Sequence, residues 1–349
     1  MVVKENYSQE SQGEGLPPLF LIHFQFSHPI FSLLGLVGNS WILLILAFGE
    51  INISKRTKFY YWILAVADLS ISVCNFAWGE LCYSLWIWTA GNVYFCIDAI
   101  SSVTCSIMNL WYYESELISN YLLVALSIER MIAVCWPLKA KFILTKKFTF
   151  NLLFFLIVPG FLFYGIVIPL SSYNTNTILL TCAIDNFRIS GILYNISMPI
   201  IIFGLHTIID LVVSSIIFIK LSLSRTNIGI HQKFKQNSRE SSTTLTLLFL
   251  CIINIIIYGL CLLAYFAKIT INYIFKDSPQ LWAFTYAVFI VFGSSTILTH
   301  GANIIVYMAL IPSFRHSALC KLTKFKKIES THTSILPSHL EVGTSNQQY

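Results

Sequence analysis

The stretch His28-Pro-Ile-Phe-Ser-Leu-Leu-Gly-Leu-Val-Gly-Asn39-Ser-Trp-Ile-Leu-Leu-Ile-Leu-Ala-Phe-Gly49 contains no Asp, Glu, Lys or Arg. About 20 consecutive apolar residues suffice to cross a bilayer as a helix. Backbone polar groups cannot stay unpaired in lipid, so each such span must be a continuous helix. Six further apolar runs follow, at 57–84, 101–134, 148–170, 189–222, 241–267 and 281–310. The expected fold is therefore an all-α membrane protein, a bundle of seven transmembrane helices. Hydrophobic residues make up 56% of the 349-residue chain and charged residues only 11%, whereas a soluble domain carries about 25% charged residues. Seven spans leave almost no room for a soluble domain, so any chemistry must lie inside the bundle or on its two faces.

The basic residues set the expected orientation. Lys4, Arg188, Lys268 and Lys276 fall on one side of the membrane, and the other 18 of the 22 Lys and Arg on the opposite side. The positive-inside rule then puts the N-terminus outside and the C-terminus inside. A net charge of +6 reads as attraction to anionic inner-leaflet lipid; no basic patch interleaved with aromatics suggests nucleic acid. The chain divides into an outer tail 1–27, the bundle 28–311, a short amphipathic membrane-surface helix 312–321 and an inner tail 322–349. In the amphipathic segment Phe314 and Leu319 are expected to face lipid, with Arg315 and Lys321 toward phosphates, and Cys320 is a candidate for palmitoylation. The tail is rich in Ser and Thr and suited to phosphorylation. No basic n-region followed by an apolar h-region precedes the first span, so no cleavable signal is expected. Asn6-Tyr7-Ser8 is a glycosylation sequon on the outer side. Of nine cysteines, Cys105 and Cys182 sit at the oxidising outer face, where a bridge would tie the second outer loop over the bundle mouth. Cys82 and Cys96 are a second candidate pair.

Polar residues within spans are costly and so carry information. Asn39 follows Gly38 in the first span, and Asp68 ends Leu64-Ala-Val-Ala-Asp68 in the second. Ser127-Ile-Glu129-Arg130-Met-Ile-Ala-Val-Cys-Trp-Pro137-Leu closes the third, and Asn303-Ile-Ile-Val-Tyr307 the seventh. This ordered set resembles the rhodopsin-like (class A) G-protein-coupled receptors, most closely the invertebrate neuropeptide receptors of the FMRFamide-like kind. The resemblance covers the chain after residue 27, and Cys105 stands at the family's disulfide spacing, 25 residues before Arg130.

The resemblance implies roles. Arg130, paired with and locked by Glu129, would hold the inactive state and then meet a heterotrimeric G protein. Pro137 would lie at the docking crevice, and Asn303 and Tyr307 would take part in the switch. Asp68, Asn39, Ser119 and Asn303 would form a buried cluster that binds an allosteric sodium ion in relatives; no other cofactor is expected. Arrestin and a receptor kinase would be further partners, and the plasma membrane the location. Departures stand beside these matches. Ile304 replaces the usual proline of the seventh span, and the sixth lacks the family's Trp and Pro signature, leaving Gly259 as a candidate hinge.

The ligand reading rests on the third span. Asn109, Tyr112, Tyr113 and Glu116 share one face at helical spacing. Tyr112 stands where amine receptors carry aspartate, which disfavours a primary amine. Glu116, with Glu80, Asp98 and Asp185, makes an acidic cavity, and Trp78, Trp282, Tyr286 and Phe289 supply aromatic rings. Carboxylate and aromatic rings together suit a guanidinium. The function expected is activation of G proteins by a cationic amidated neuropeptide, with a chemosensory receptor for a small external molecule as the alternative. An enzyme or transporter is disfavoured: there is no internal repeat, and His206, Asp210 and His300 are scattered over two spans.

Overall fold

The computed structural model describes residues 22–49, 51, 53–77, 81, 84–89, 96, 100–170, 173–174, 183–184, 199–226, 238–274, 279–312 and 314–318. Seven long helices carry the architecture: α1 His28–Phe48, α2 Lys55–Asn75, α3 Ser102–Cys135, α4 Lys146–Leu170, α5 His206–Thr226, α6 Ser238–Ile274 and α7 Pro279–Leu310. Their starts follow from local chemistry. Pro29 sits in the first turn of α1, where its missing N–H has no helical partner to lose. The Ser54 hydroxyl accepts from the Thr57 amide at the start of α2. Ser101 and Thr104 form a reciprocal capping box at the start of α3.

Six of the helical stretches are long and apolar enough to cross a bilayer. The remaining helix, α2, has 21 residues but carries Lys55, Arg56 and Lys58 at its start and Asp68 within. Large apolar side chains such as Val37, Phe48, Phe154, Phe155 and Leu263 point outward, as lipid-facing surfaces require. A short helix, Pro137–Ile143, joins α3 to α4. Two residues of strand, Tyr173–Asn174, pair antiparallel with Ala183–Ile184 between α4 and α5.

Some bounds differ from those the hydropathy predicts. Regular α-helix in the second span stops at Asn75, where the Phe76 amide bonds back to both Ser72 and Val73. The described part of the fifth span begins with a wide π-helical stretch, Pro199–Leu205, before α5. The sixth span extends on both sides, because α6 runs 37 residues without interruption. No proline lies inside α6 or α7, so neither has a proline kink. A Cβ on Gly259 would meet nothing within 4 Å, so packing leaves the backbone room there.

Packing is closest where α1, α2 and α7 meet. A Cβ on Gly35 would lie 2.2 Å from Ser72 Oγ, and one on Gly38 would lie 2.8 Å from Ile304 Cγ2. Gly301 faces Gly35 across the same junction. The core has two main parts. One, around Ile42, Tyr61, Leu126, Leu250 and Tyr307, lies toward the Arg130 end. The other gathers Leu117, Tyr121, Tyr164, Phe203 and Tyr258.

The segment after α7 departs from the amphipathic membrane-surface helix expected of it. After α7 the chain is helical at Pro312 and again at 314–318. Phe314 does not face lipid: it is 1% exposed and packs edge-on against Tyr307 at 5.6 Å. The segment lies against the end of the bundle, so its apolar ring covers the core there. Arg315 is exposed. Leu319, Cys320 and Lys321 lie outside the described residues, as does Asn6.

Candidate functional site

A seam of polar side chains runs through the bundle, built mainly on one face of α3. Nearest Cys105, Asn109 donates to the Cys105 carbonyl at 2.9 Å. Cys96 and Cys105 both form disulfides, whereas Cys82 and Cys182 lie outside the described residues. One turn further along α3, Tyr112 meets Tyr113 edge-on at 5.1 Å, and Tyr113 stacks on Tyr164 of α4 at 6.0 Å. The Tyr112 hydroxyl lies beside Glu116 and Thr296. Glu116 itself is 1% exposed, and its Oε1 accepts from the Tyr258 hydroxyl of α6 at 3.3 Å.

Tyr258 links this face to the next layer. Its hydroxyl also lies 3.2 Å from His300 Nε2 on α7. On the other side of the ring, His300 Nδ1 lies 2.8 Å from Asp68 Oδ1. An ionised carboxylate only accepts, so the proton of this bond is assigned to Nδ1. Ser119 donates to the same Oδ1 at 2.5 Å, and Asn303 donates to Oδ2 at 2.5 Å. Asn39 donates to the Gly35 and His300 carbonyls at 2.9 and 3.1 Å. The result is a line of polar contacts, Glu116–Tyr258–His300–Asp68–Asn303, that crosses α3, α6, α7 and α2, with the single Tyr258 hydroxyl proton shared between Glu116 and His300 Nε2.

The Arg130 end is arranged differently from the expectation. Glu129 and Arg130 do not pair. Glu129 Oε1 accepts from Tyr60 at 3.0 Å and from Thr149 at 2.5 Å, and Oε2 lies 3.7 Å from Arg56 Nη1. Arg130 Nη2 donates to Thr57 Oγ1 at 2.9 Å. Consecutive helix residues do not face each other, so Glu129 turns to α2 and α4 while Arg130 meets the first turn of α2. Both groups are thus held by α2. Tyr307 is buried and lies 4.7 Å from Tyr61, ring centre to ring centre. Pro137 opens the short helix after α3 and is exposed.

Other predicted residues fall elsewhere. Phe289 of α7 carries Lys268 Nζ of α6 4.7 Å above its ring, so this aromatic already faces a cation of the chain itself. Trp78, Glu80, Asp98 and Asp185 lie outside the described residues, as do the side chains of Trp282 and Tyr286. His206 meets the Tyr258 ring edge-on at 4.6 Å. Among the described residues no three His, Cys, Asp or Glu side chains are grouped to hold a metal ion.

Tyr258, His300, Thr57, Tyr60, Arg56 and Thr149 join the site only in the structure. For His300 a signal existed: residues 300, 303 and 307 share one face of a helix by spacing alone. For Tyr258 the signal was slight: Asn254, one turn before it, is the polar residue that shares its face in an otherwise apolar stretch.

Seven long helices among the described residues, six of them of membrane-crossing composition, threaded by a buried polar seam, define a multi-pass membrane protein. The pattern of the family described as 7 transmembrane receptor (rhodopsin family) matches residues 38–310, and the chain belongs to that family. The family is one of receptors, not enzymes. Among individual relatives, mouse galanin receptor type 2 is 27% identical over 143 residues, 41% of this chain and 35% of the receptor. Human galanin receptor type 3 is 27% identical over 157 residues, 42% of this chain and 37% of the receptor. Rat olfactory receptor 51E2 is 22% identical over 213 residues, 60% of this chain and 63% of the receptor. The matches thus span about a third of the galanin receptors' length.

Proposed function

We propose that this receptor lies in the plasma membrane with its N-terminus outside, binds an extracellular cationic amidated neuropeptide and activates heterotrimeric G proteins. The observation that carries the reading is the placement of Glu116. Its carboxyl group closes the Tyr112–Tyr113 face and touches α6 through Tyr258. A guanidinium reaching Glu116 would compete with the Tyr258 hydroxyl for the carboxylate. Loss of that bond loosens α6 from α3, and the ligand favours whichever arrangement lets it bind better. The similarity to receptors named for galanin, a neuropeptide, supports a peptide ligand. A Cys105–Cys182 bridge would pin the second outer loop beside the cavity.

At the opposite end, Arg130 released from Thr57 would be free to meet the G protein, with Pro137 and its short helix forming the crevice rim. The Ser/Thr-rich tail is the segment a receptor kinase and arrestin would engage. The 60% of the chain matched by an olfactory receptor favours a second reading, a chemosensory receptor for a small molecule.

The test is calcium and cAMP output in cells expressing the chain, challenged with Arg-Phe-amide peptides, neutral amidated analogues and a panel of small volatile molecules. A dose-dependent peptide response that disappears in Arg130→Ala, at equal surface expression, supports the first reading. A response to the small molecules alone supports the second. Undiminished signalling by Arg130→Ala removes Arg130 from the switch.

A further inference from the structure

The cluster around Asp68 has the residue types expected of a sodium site, yet it does not present them as a sodium site requires. A small hard cation needs lone pairs from several oxygens. Asp68 is fully buried, and both its oxygens already accept bonds from within the protein: Oδ1 from Ser119 and His300, Oδ2 from Asn303. Asn303 and Asn39 turn their amide N–H groups, not their carbonyls, to their partners. The Ser119 oxygen also lies 3.3 Å from His300 Nδ1. Three of the roughly four acceptor sites of the Asp68 carboxylate are taken, and Asn39 Oδ1 is a further buried oxygen without a partner, so few lone pairs are left open to a cation.

We infer that the His300 side chain fills the cation's place beside Asp68, so that the polar core of this receptor works without sodium. The ring is well placed to do so. His300 is 3% exposed, its own carbonyl is held by Asn39, and Asn303 one turn along α7 binds the other Asp68 oxygen. The imidazole supplies the donor that a mobile ion would otherwise provide, and its second nitrogen carries the connection on to Tyr258 and Glu116. A mobile cation could not make that covalently anchored link. The ligand face and the Asp68–Asn303 layer are therefore joined by protein alone.

The test uses the full chain in detergent and reads its thermal midpoint in sodium chloride against equimolar N-methylglucamine chloride. It needs neither ligand nor G protein, so it stands or falls separately from the peptide-receptor reading. The wild-type midpoint is expected to be the same in both salts. His300→Ala is expected to melt lower in N-methylglucamine and to recover several degrees specifically in sodium, because the hole left beside Asp68 then admits the ion. His300→Ser, which keeps a small hydroxyl, serves the same comparison if the alanine variant is not recovered folded. A sodium-specific rise in the wild-type midpoint overturns the inference. So does a folded His300 variant that remains indifferent to sodium.

Discussion

Replacing Thr57 by valine removes the hydroxyl that holds Arg130 and keeps the branched shape of the side chain. Thr57 Oγ1 accepts from Arg130 Nη2 at 2.9 Å and lies 2.8 Å from Ser54 Oγ. A hydrogen bond to a charged group contributes about 1.5–3 kcal/mol. Arg130 is half-buried rather than enclosed, so water replaces part of the lost bond and the lower end of that range applies. If the bond exists only in the closed state, about 1.5 kcal/mol multiplies the open-to-closed ratio roughly tenfold. A receptor that is about 1% open without ligand would become about 10% open. Ser54 retains its bond to the Thr57 amide, so α2 keeps its N-cap. The assay is ligand-free second-messenger output, normalised to surface expression, for wild type, Thr57→Val and Thr57→Ser. Basal output should rise about tenfold in the valine variant and stay near wild type in the serine variant, which keeps the acceptor. Equal basal output in Thr57→Val and wild type would refute the idea that α2 holds Arg130 back.

Three other outcomes are expected. Gly38→Ala places a methyl group 2.8 Å from Ile304 Cγ2; overpacking of this kind costs about 1–3 kcal/mol. Its thermal midpoint should fall, and adding Ile304→Ala should recover part of the loss; strictly additive effects would show that the two side chains do not clash. Phe314→Ala should destabilise by about 3–5 kcal/mol, the range for a buried aromatic, measured by melting; a change near zero would return this ring to the lipid-facing side. Glu116→Gln should weaken Arg-containing amidated peptides by about 1–3 kcal/mol and leave neutral analogues unchanged in dose–response curves; equal losses for both would make Glu116 a structural group.

Much of the fold was legible because its signals are local. Span length and the absence of charge from 28–49 need no knowledge of neighbours. The same holds for the motifs that mark span ends, such as Glu129-Arg130-Met131 and Asn303 to Tyr307. The cluster membership of Asp68, Ser119 and Asn303 also followed from the family resemblance. What failed was pairing. Glu129 and Arg130 are adjacent in sequence, and the family resemblance implies a mutual lock. In the bundle they diverge, one to Tyr60, Thr149 and Arg56, the other to Thr57.

The chain by itself determined that it crosses the membrane repeatedly, about where the apolar runs lie, and which polar residues fall within them. The tertiary structure alone decided which of those residues meet. A water-soluble helix declares its inner face through amphipathic spacing, but a helix in lipid is apolar inside and out. Apolar spacing along α6 or α7 therefore does not report how each is rotated about its axis; only isolated polar residues such as His300, Asn303 and Tyr307 mark an inner face. Rotation is fixed by close packing, such as Gly38 against Ile304 and Gly301 against Gly35. That packing brings His300 onto Asp68 and Tyr258 onto Glu116.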